Sequence, residues 1–229
     1  MRVCLFDIDG TLVNSGDAGQ AAMESGLATT FGVSRPAEGI STAGRTDRAI
    51  IEDLIDFHGL PVDEVTFGKV SAAYLEQLPA QLERLDGLTL PGIGDLLDEL
   101  SVRDDLVLGL LTGNLVEGAR CKLGHFQLDP YFERAGHLFG GFGDLQRDRD
   151  DVARLGRERV RRELDWWDPA EVWVIGDTPL DVRCARAIDV QVLAVATGVF
   201  SRSQIAASQP DALLDDLSET DRVLSILLE

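Results

Sequence analysis

Two carboxylates stand one residue apart at the end of an apolar run, in Phe6-Asp7-Ile8-Asp9-Gly10-Thr11-Leu12. Alternate residues of a strand point to opposite faces, so a regular strand puts Asp7 and Asp9 on one face. Like charges held that close repel unless a cation sits between them. Gly10 lets the backbone turn away, and the C-terminal edge of the strands is where open α/β sheets place their chemistry. A second acidic turn follows the apolar residues 172–175, in Gly176-Asp177-Thr178-Pro179-Leu180-Asp181. Asp177 is expected at the same edge as Asp7. A third apolar run, residues 106–111, leads into Thr112-Gly113-Asn114. A hydroxyl and the free N–H groups of a helix start are suited to hold a phosphate, and the same tripeptide is also ordinary turn and capping chemistry.

These turns need a scaffold that brings strand ends together. Apolar runs predict strands at residues 3–8, 106–111, 137–139, 172–175 and 190–195. Helical patterns intervene at residues 93–100, 116–123, 150–164 and 180–187. Strands alternating with helices imply parallel βαβ units, hence an α/β fold with a doubly wound parallel sheet. Residues 17–82 differ: they show helical periods alone, at 17–31, after Thr46, and at 63–82. The expected organisation is a core of residues 1–15 and 86–229, with an all-helical domain of residues 16–85 inserted into it.

Taken in order, Asp-x-Asp-Gly-Thr, the hydrophobic strand before Thr112, and Gly-Asp-x-x-x-Asp resemble the motifs of the haloacid dehalogenase-like hydrolases. Ala43-Gly44-Arg45-Thr46-Asp47 is similar to a stretch of the helical cap in the phosphoglycolate-phosphatase-like members. The resemblance covers nearly the whole chain. It implies a Rossmann-like core with an inserted cap, and a Mg²⁺-dependent phosphatase acting through an aspartyl-phosphate. By that resemblance Asp7 is the nucleophile and Asp9 the general acid and base. Mg²⁺ is held by the carboxylates of Asp7 and Asp177 and the backbone carbonyl of Asp9, a hard oxygen-only set. Thr112, Gly113 and Asn114 bind the substrate's phosphate, and Arg45 reaches over the site from the cap. Asp181 either acts at the metal through water or is a charge at a helix N-terminus.

One motif departs from the pattern. The family usually carries a Lys before the helix that precedes Gly-Asp-x-x-x-Asp, and residues 140–151 contain none. Arg149 is the candidate substitute and Arg147 the second, because a guanidinium bridges carboxylate and phosphoryl oxygens bidentately. Either also reads as a surface arginine in a charged run, so removing Arg149 is expected to leave stability nearly intact. The implied substrate is a small phosphorylated metabolite, such as phosphoglycolate or a sugar phosphate. Two alternatives stand beside it: a phosphomutase of the β-phosphoglucomutase type, and a catalytically silent binding protein, which the missing Lys favours.

The chain's bulk properties narrow the partners. It has 229 residues, 45% hydrophobic and 27% charged, with a formal net charge of -19. That balance argues against nucleic acid and anionic membranes. It leaves room for a phosphate ester, because a divalent cation and a few basic side chains reverse the sign locally. Neither a signal peptide nor an apolar run of transmembrane length is evident, so the cytoplasm is the expected location. Cys4, Cys121 and Cys184 show no Cys-x-x-Cys spacing and read as small apolar residues. His58, His125 and His137 lack metal-ligand spacing and are expected to be structural.

Overall fold

The chain opens with β1 (Arg2–Phe6), whose residues are all apolar after Arg2. In the computed structural model, which describes residues 1–33 and 39–228, β1 lies in the middle of the sheet. Five residues of the expected inserted domain, 34–38, and residue 229 lie outside the described set. A two-residue β2 (Val13–Asn14) follows, then three helices: α1 (Ala18–Phe31), α2 (Asp47–Phe57) and α3 (Glu64–Arg84). In α2, Ile50, Ile51, Leu54 and Ile55 recur at helical spacing and are all buried. The hydroxyl of Thr46 caps the helix by accepting the Ala49 N–H at 3.2 Å. Asp63 caps α3 in the same way, accepting the Thr66 N–H at 2.8 Å. The three helices close over their own apolar cluster, which includes Leu27, Ile51, Leu54, Tyr74 and Leu78. A short β3 (Leu88–Thr89) returns the chain and pairs antiparallel with β2.

The alternation then begins with α4 (Ile93–Ser101), β4 (Leu106–Leu111) and α5 (Val116–His125). After a small hairpin, β5 (Glu133–Arg134) and β6 (His137–Leu138), come β7 (Gly140–Gly141) and α6 (Arg149–Leu164). The chain finishes with β8 (Val172–Gly176), α7 (Pro179–Arg186), β9 (Gln191–Val195), α8 (Arg202–Ala207), β10 (Ala212–Leu214) and α9 (Thr220–Leu228). The main sheet has six strands in the order β10-β9-β8-β1-β4-β7, and every pairing is parallel. This is the doubly wound α/β core the alternation predicts. The pleat of β1 divides its side chains: Cys4 and Phe6 face the cluster under α4, α5 and α9, while Val3 and Leu5 face the one under α6 and α7.

Three details differ from the sequence expectation. The strand expected at residues 137–139 forms at His137–Leu138, but in a hairpin outside the main sheet. His137 and Leu138 turn back on Glu133 and Arg134, and the parallel edge strand is Gly140–Gly141 beside Leu110 and Leu111. β1 ends at Phe6, so Asp7 and Asp9 lie in the turn beyond the regular strand. The segment after Val195 adds two helices and an edge strand, β10, that the sequence pattern does not predict. Among the described residues no helix is long and apolar enough to cross a membrane.

Candidate active site

The C-terminal ends of β1, β4 and β8 converge because the three strands are parallel neighbours in near-matching register. The Asp7 N–H donates to the Ile175 carbonyl at 2.9 Å, which extends the β1–β8 ladder by one step and fixes Asp7 opposite the Gly176-Asp177 turn. Gly10 then takes φ 83°, a left-handed turn that brings its Cα so close to the Asp177 carboxylate that no Cβ fits. Asp7, Asp177 and Asp181 are all buried, and one carboxylate oxygen of each lies within 4.8 Å of the others.

Electrostatics follow from that crowding. Burial pushes the Asp7 carboxyl up to about 6; Arg149 opposes this, and Asp181 and Asp9 add to it. Burial, Asp181 and Asp7 push Asp177 well above the usual carboxylate range, against a 3.2 Å hydrogen bond donated by the Thr11 hydroxyl. Three hard oxygen donors held together at such a cost in repulsion are suited to a small divalent cation, and Mg²⁺ fits the set. Asp181 has a second occupation. One of its oxygens accepts the Thr178 N–H at 2.9 Å and the Thr178 hydroxyl at 2.7 Å, in a capping box that starts α7.

The two candidate arginines separate. Arg149 is the first residue of α6 and only 3% exposed. Its Nη1 lies 3.4 Å from Asp7 Oδ1, and its Nη2 binds Asp181 and, at 3.1 Å, the Leu111 carbonyl. Its Nε is buried with no hydrogen-bond partner among the described residues. The expectation of an exposed arginine in a charged loop is therefore corrected: the guanidinium lies among buried carboxylates, and three acids surround the charge its loss would remove. Arg147, two residues earlier, points the other way. It ion-pairs with Glu52 and, at 3.0 Å, with Asp53, both on α2.

Asp9 turns from the Asp7–Asp177–Asp181 group toward α5. It accepts hydrogen bonds from the Ser15 hydroxyl at 2.9 Å, the Asn114 amide at 3.0 Å and the Lys122 ammonium at 2.5 Å. Burial raises its carboxyl, but Lys122, Asn114 and Ser15 outweigh burial and hold it below the usual range. Thr112 is fully buried, and its hydroxyl accepts the Asn114 side-chain amide at 2.8 Å. The Asn114 N–H is turned inward to the same hydroxyl, at 3.3 Å. Arg45 lines the cavity, but its guanidinium is held by Asp53 at 2.5 Å and by the Ser41 carbonyl at 3.0 Å.

Sequence reasoning did not single out Lys122, Ser15 or the packing role of Asp47. Asp47 begins α2, is buried, and accepts the Leu115 N–H at 2.9 Å and the Tyr74 hydroxyl at 3.3 Å. Burial, only partly opposed by Lys122, raises its carboxyl to about 6. Its own N–H donates to the Gly113 carbonyl at 2.7 Å, and the Thr46 hydroxyl donates to the Arg147 carbonyl at 3.1 Å. Gly113 packs so tightly on the Arg45 backbone that a Cβ would overlap it. The helical bundle is thus clasped to the very turn that carries Thr112 and Asn114. A cavity of about 290 Å³ remains between bundle and sheet, and Asp7, Asp9, Lys122, Arg149 and Arg45 share its wall. One signal could have drawn attention to Lys122: Lys69 and Lys122 are the chain's two lysines, against an otherwise all-arginine set of 21 basic residues.

The comparisons with known proteins agree with this geometry. The profile of the haloacid dehalogenase-like hydrolases matches residues 4–186, and a second HAD-hydrolase-like profile matches residues 153–220. A phosphoglycolate phosphatase from Synechococcus elongatus is 28% identical over 100% of this chain and 99% of its own length. Phosphoglycolate phosphatase 1 of Pseudomonas aeruginosa is 27% identical over 95% of this chain and 78% of its own length. Among solved structures, CbbY from Rhodobacter sphaeroides in complex with phosphate superposes with a TM-score of 0.73 at 21% identity, covering 96% of both chains. The chain belongs to the haloacid dehalogenase-like hydrolase family. Within it, this protein is a phosphatase, a hydrolase of phosphoric monoesters.

Proposed function

We propose that the protein hydrolyses a small phosphorylated metabolite, of the phosphoglycolate or sugar-phosphate kind, through an aspartyl-phosphate on Asp7. The observation that carries this reading is the contact of Arg149 with Asp7 at the strand edge, beside Asp177 and Asp181. An Arg in this position supplies the cation that the sequence otherwise lacks, which removes the main support for a silent binding protein.

In this reading a carboxylate oxygen of Asp7 attacks phosphorus, the phosphorus–oxygen bond to the alcohol breaks, and Asp9, an ionised carboxylate before the ester binds, relays to the leaving oxygen the acidic proton that a phosphate monoester brings in its monoanionic form. Asp9 then takes a proton from a water that attacks phosphorus, the bond from phosphorus to Asp7 breaks, and phosphate and the Asp7 carboxylate are restored. Arg149 offsets charge on Asp7 and on the phosphoryl oxygens, so that positioning and neutralisation carry most of the rate. Gly113 and Asn114 line the cavity where the phosphoryl group would sit, Thr112 stands buried behind them and orients Asn114, and Arg45 stands toward the alcohol. Asp7 and Asp177, with the Asp9 carbonyl, would hold Mg²⁺, which when bound supplies charge neutralisation of the phosphoryl group. Residues 16–85 act as a cap on a core of residues 1–15 and 86–229. Free cysteines fit a reducing, cytoplasmic compartment.

The test is phosphate release from a panel of metabolite phosphate esters with Mg²⁺, repeated in EDTA and with Asp7→Asn. Turnover that needs Mg²⁺ and disappears in Asp7→Asn is expected. An Asp7→Asn enzyme keeping more than about a tenth of the rate would refute the covalent route, since losing even a general acid–base alone costs roughly 10²–10⁴-fold.

A further inference from the structure

Lys122 is a residue whose burial needs an explanation. It lies in the second turn of α5 and its side chain is 5% exposed. An ammonium taken out of water costs several kcal/mol unless it is paired and hydrogen-bonded, and an aliphatic side chain would fill the same space without that penalty. Helical side chains lean toward the N-terminus, so Lys122 runs back along α5 toward the turn that precedes it. There its Nζ binds Asn114 Oδ1 at 2.7 Å and Asp9 Oδ2 at 2.5 Å. Asn114 is itself pinned by its amide donating to the Thr112 hydroxyl. One chain of hydrogen bonds thus joins the Thr112 turn, α5 and the Asp9 turn.

We propose that Lys122 is the positioning residue for Asp9, fixing that carboxylate at the cavity wall beside Asp7 while acting on the reaction only through it. The inference rests on Asp9 serving as the acid and base. Asp9 lies beyond β1 in a turn whose backbone bridges to Val13, and the direction of its carboxylate is set by the side chains it meets. Its orientation comes from three donors: Ser15 on Oδ1, and Asn114 and Lys122 on Oδ2. Lys122 is the one of the three that is charged, and it also orients Asn114. Asp47, the other carboxylate near its ammonium, has its Oδ2 occupied by the Leu115 N–H and the Tyr74 hydroxyl. Lysine's compact ammonium serves this place better than an arginine fork, since its donors must diverge to an amide oxygen and a carboxylate oxygen.

The experiment is a double-mutant cycle on the full chain, with p-nitrophenyl phosphate and Mg²⁺, using Lys122→Met, Asp9→Asn and the pair. Lys122→Met should lower kcat by roughly 10–100-fold, the penalty expected when a catalytic group is misplaced by about an ångström. KM should move less than about threefold, and Lys122→Arg should recover part of kcat. In the Asp9→Asn background the same Lys122 change should alter kcat less than about twofold, because effects transmitted through one partner do not add. Additive losses, or a raised KM with unchanged kcat, would mean that Lys122 meets the substrate directly and would overturn the inference. Asp9→Asn at the wild-type rate would overturn the acid–base reading and this inference together. Additive losses with Asp9→Asn impaired would leave that reading standing. If Lys122→Met does not fold by circular dichroism, Lys122→Gln carries the same cycle. If Asp9→Asn leaves no measurable rate, the kcat-against-KM split and the rescue by Lys122→Arg decide.

Discussion

Arg149 and Arg147 show how much a two-residue offset decides. Both follow a Gly-rich stretch in a charged run, and sequence alone left each readable as a surface residue. The helix start separates them: Asp148 caps α6, so Arg149 becomes its first residue and turns inward, while Arg147 stays outside. Arg149→Ala should cut kcat at least tenfold and also destabilise the fold by about 3–5 kcal/mol, the usual result of stranding buried carboxylates. Steady-state kinetics and urea midpoints check the two effects separately, and Arg149→Lys should recover part of each. A full-rate Arg149→Ala would remove this residue from the mechanism. The raised Asp7 carboxyl makes a second prediction. Its folded value of about 6 exceeds the usual 3.8, so its contribution to stability is fully present below pH 3.8 and is lost as pH rises through 6. In EDTA at pH 8, Asp7→Asn should therefore melt above wild type, by up to about 3 kcal/mol at 1.36 kcal/mol per unit. The gap should close near pH 4, and a lower melting point at pH 8 would contradict it.

At the scale of elements, legibility tracked pattern length. β4, β8 and β9 are apolar over four to six residues, and helices such as α2 and α6 carry a helical period; all can be read directly from the residues. β7 is two glycines, with no side chain to form a pattern, so the sequence shows a strand at residues 137–139 and none at Gly140–Gly141. β10 is three residues long and, among the described residues, pairs with β9 alone. Asp7, Asp177 and Thr112 were legible as site candidates because each ends such a run. Lys122 was not, since nothing local distinguishes a buried lysine on α5 from a solvated one; its partner Asp9 is 113 residues away. Arg147 belongs to this scale as well, since it ties the start of α6 to α2. Half-exposed and salt-screened, its pairs should matter little: Arg147→Ala is expected to cost less than about 1 kcal/mol and to leave kcat within about threefold. A loss as severe as that of Arg149→Ala would reassign the role of the missing Lys to Arg147.

For the whole molecule, the net charge is -19, and three of its carboxylates are buried together at the strand edge with Arg149 as their cation. Mg²⁺ should therefore stabilise the fold, by about 2.7 kcal/mol at a hundredfold excess over its dissociation constant. At this size that corresponds to a rise in Tm of roughly 5–10 °C. Differential scanning calorimetry with and without EDTA measures it, and Asp177→Ala should blunt the response. An unchanged Tm across a saturating Mg²⁺ titration would count against a metal at these carboxylates.

The clasp between Asp47 and the Gly113–Leu115 turn carries a kinetic consequence. A bundle that swings away from the sheet to admit an ester would undo the bond from the Asp47 N–H to the Gly113 carbonyl and the bond from the Leu115 N–H to the Asp47 carboxylate. Such a rearrangement moves a three-helix body through solvent, so turnover should feel friction. kcat should fall as sucrose raises the relative viscosity, and Gly113→Ala, which wedges the clasp apart, should flatten that dependence.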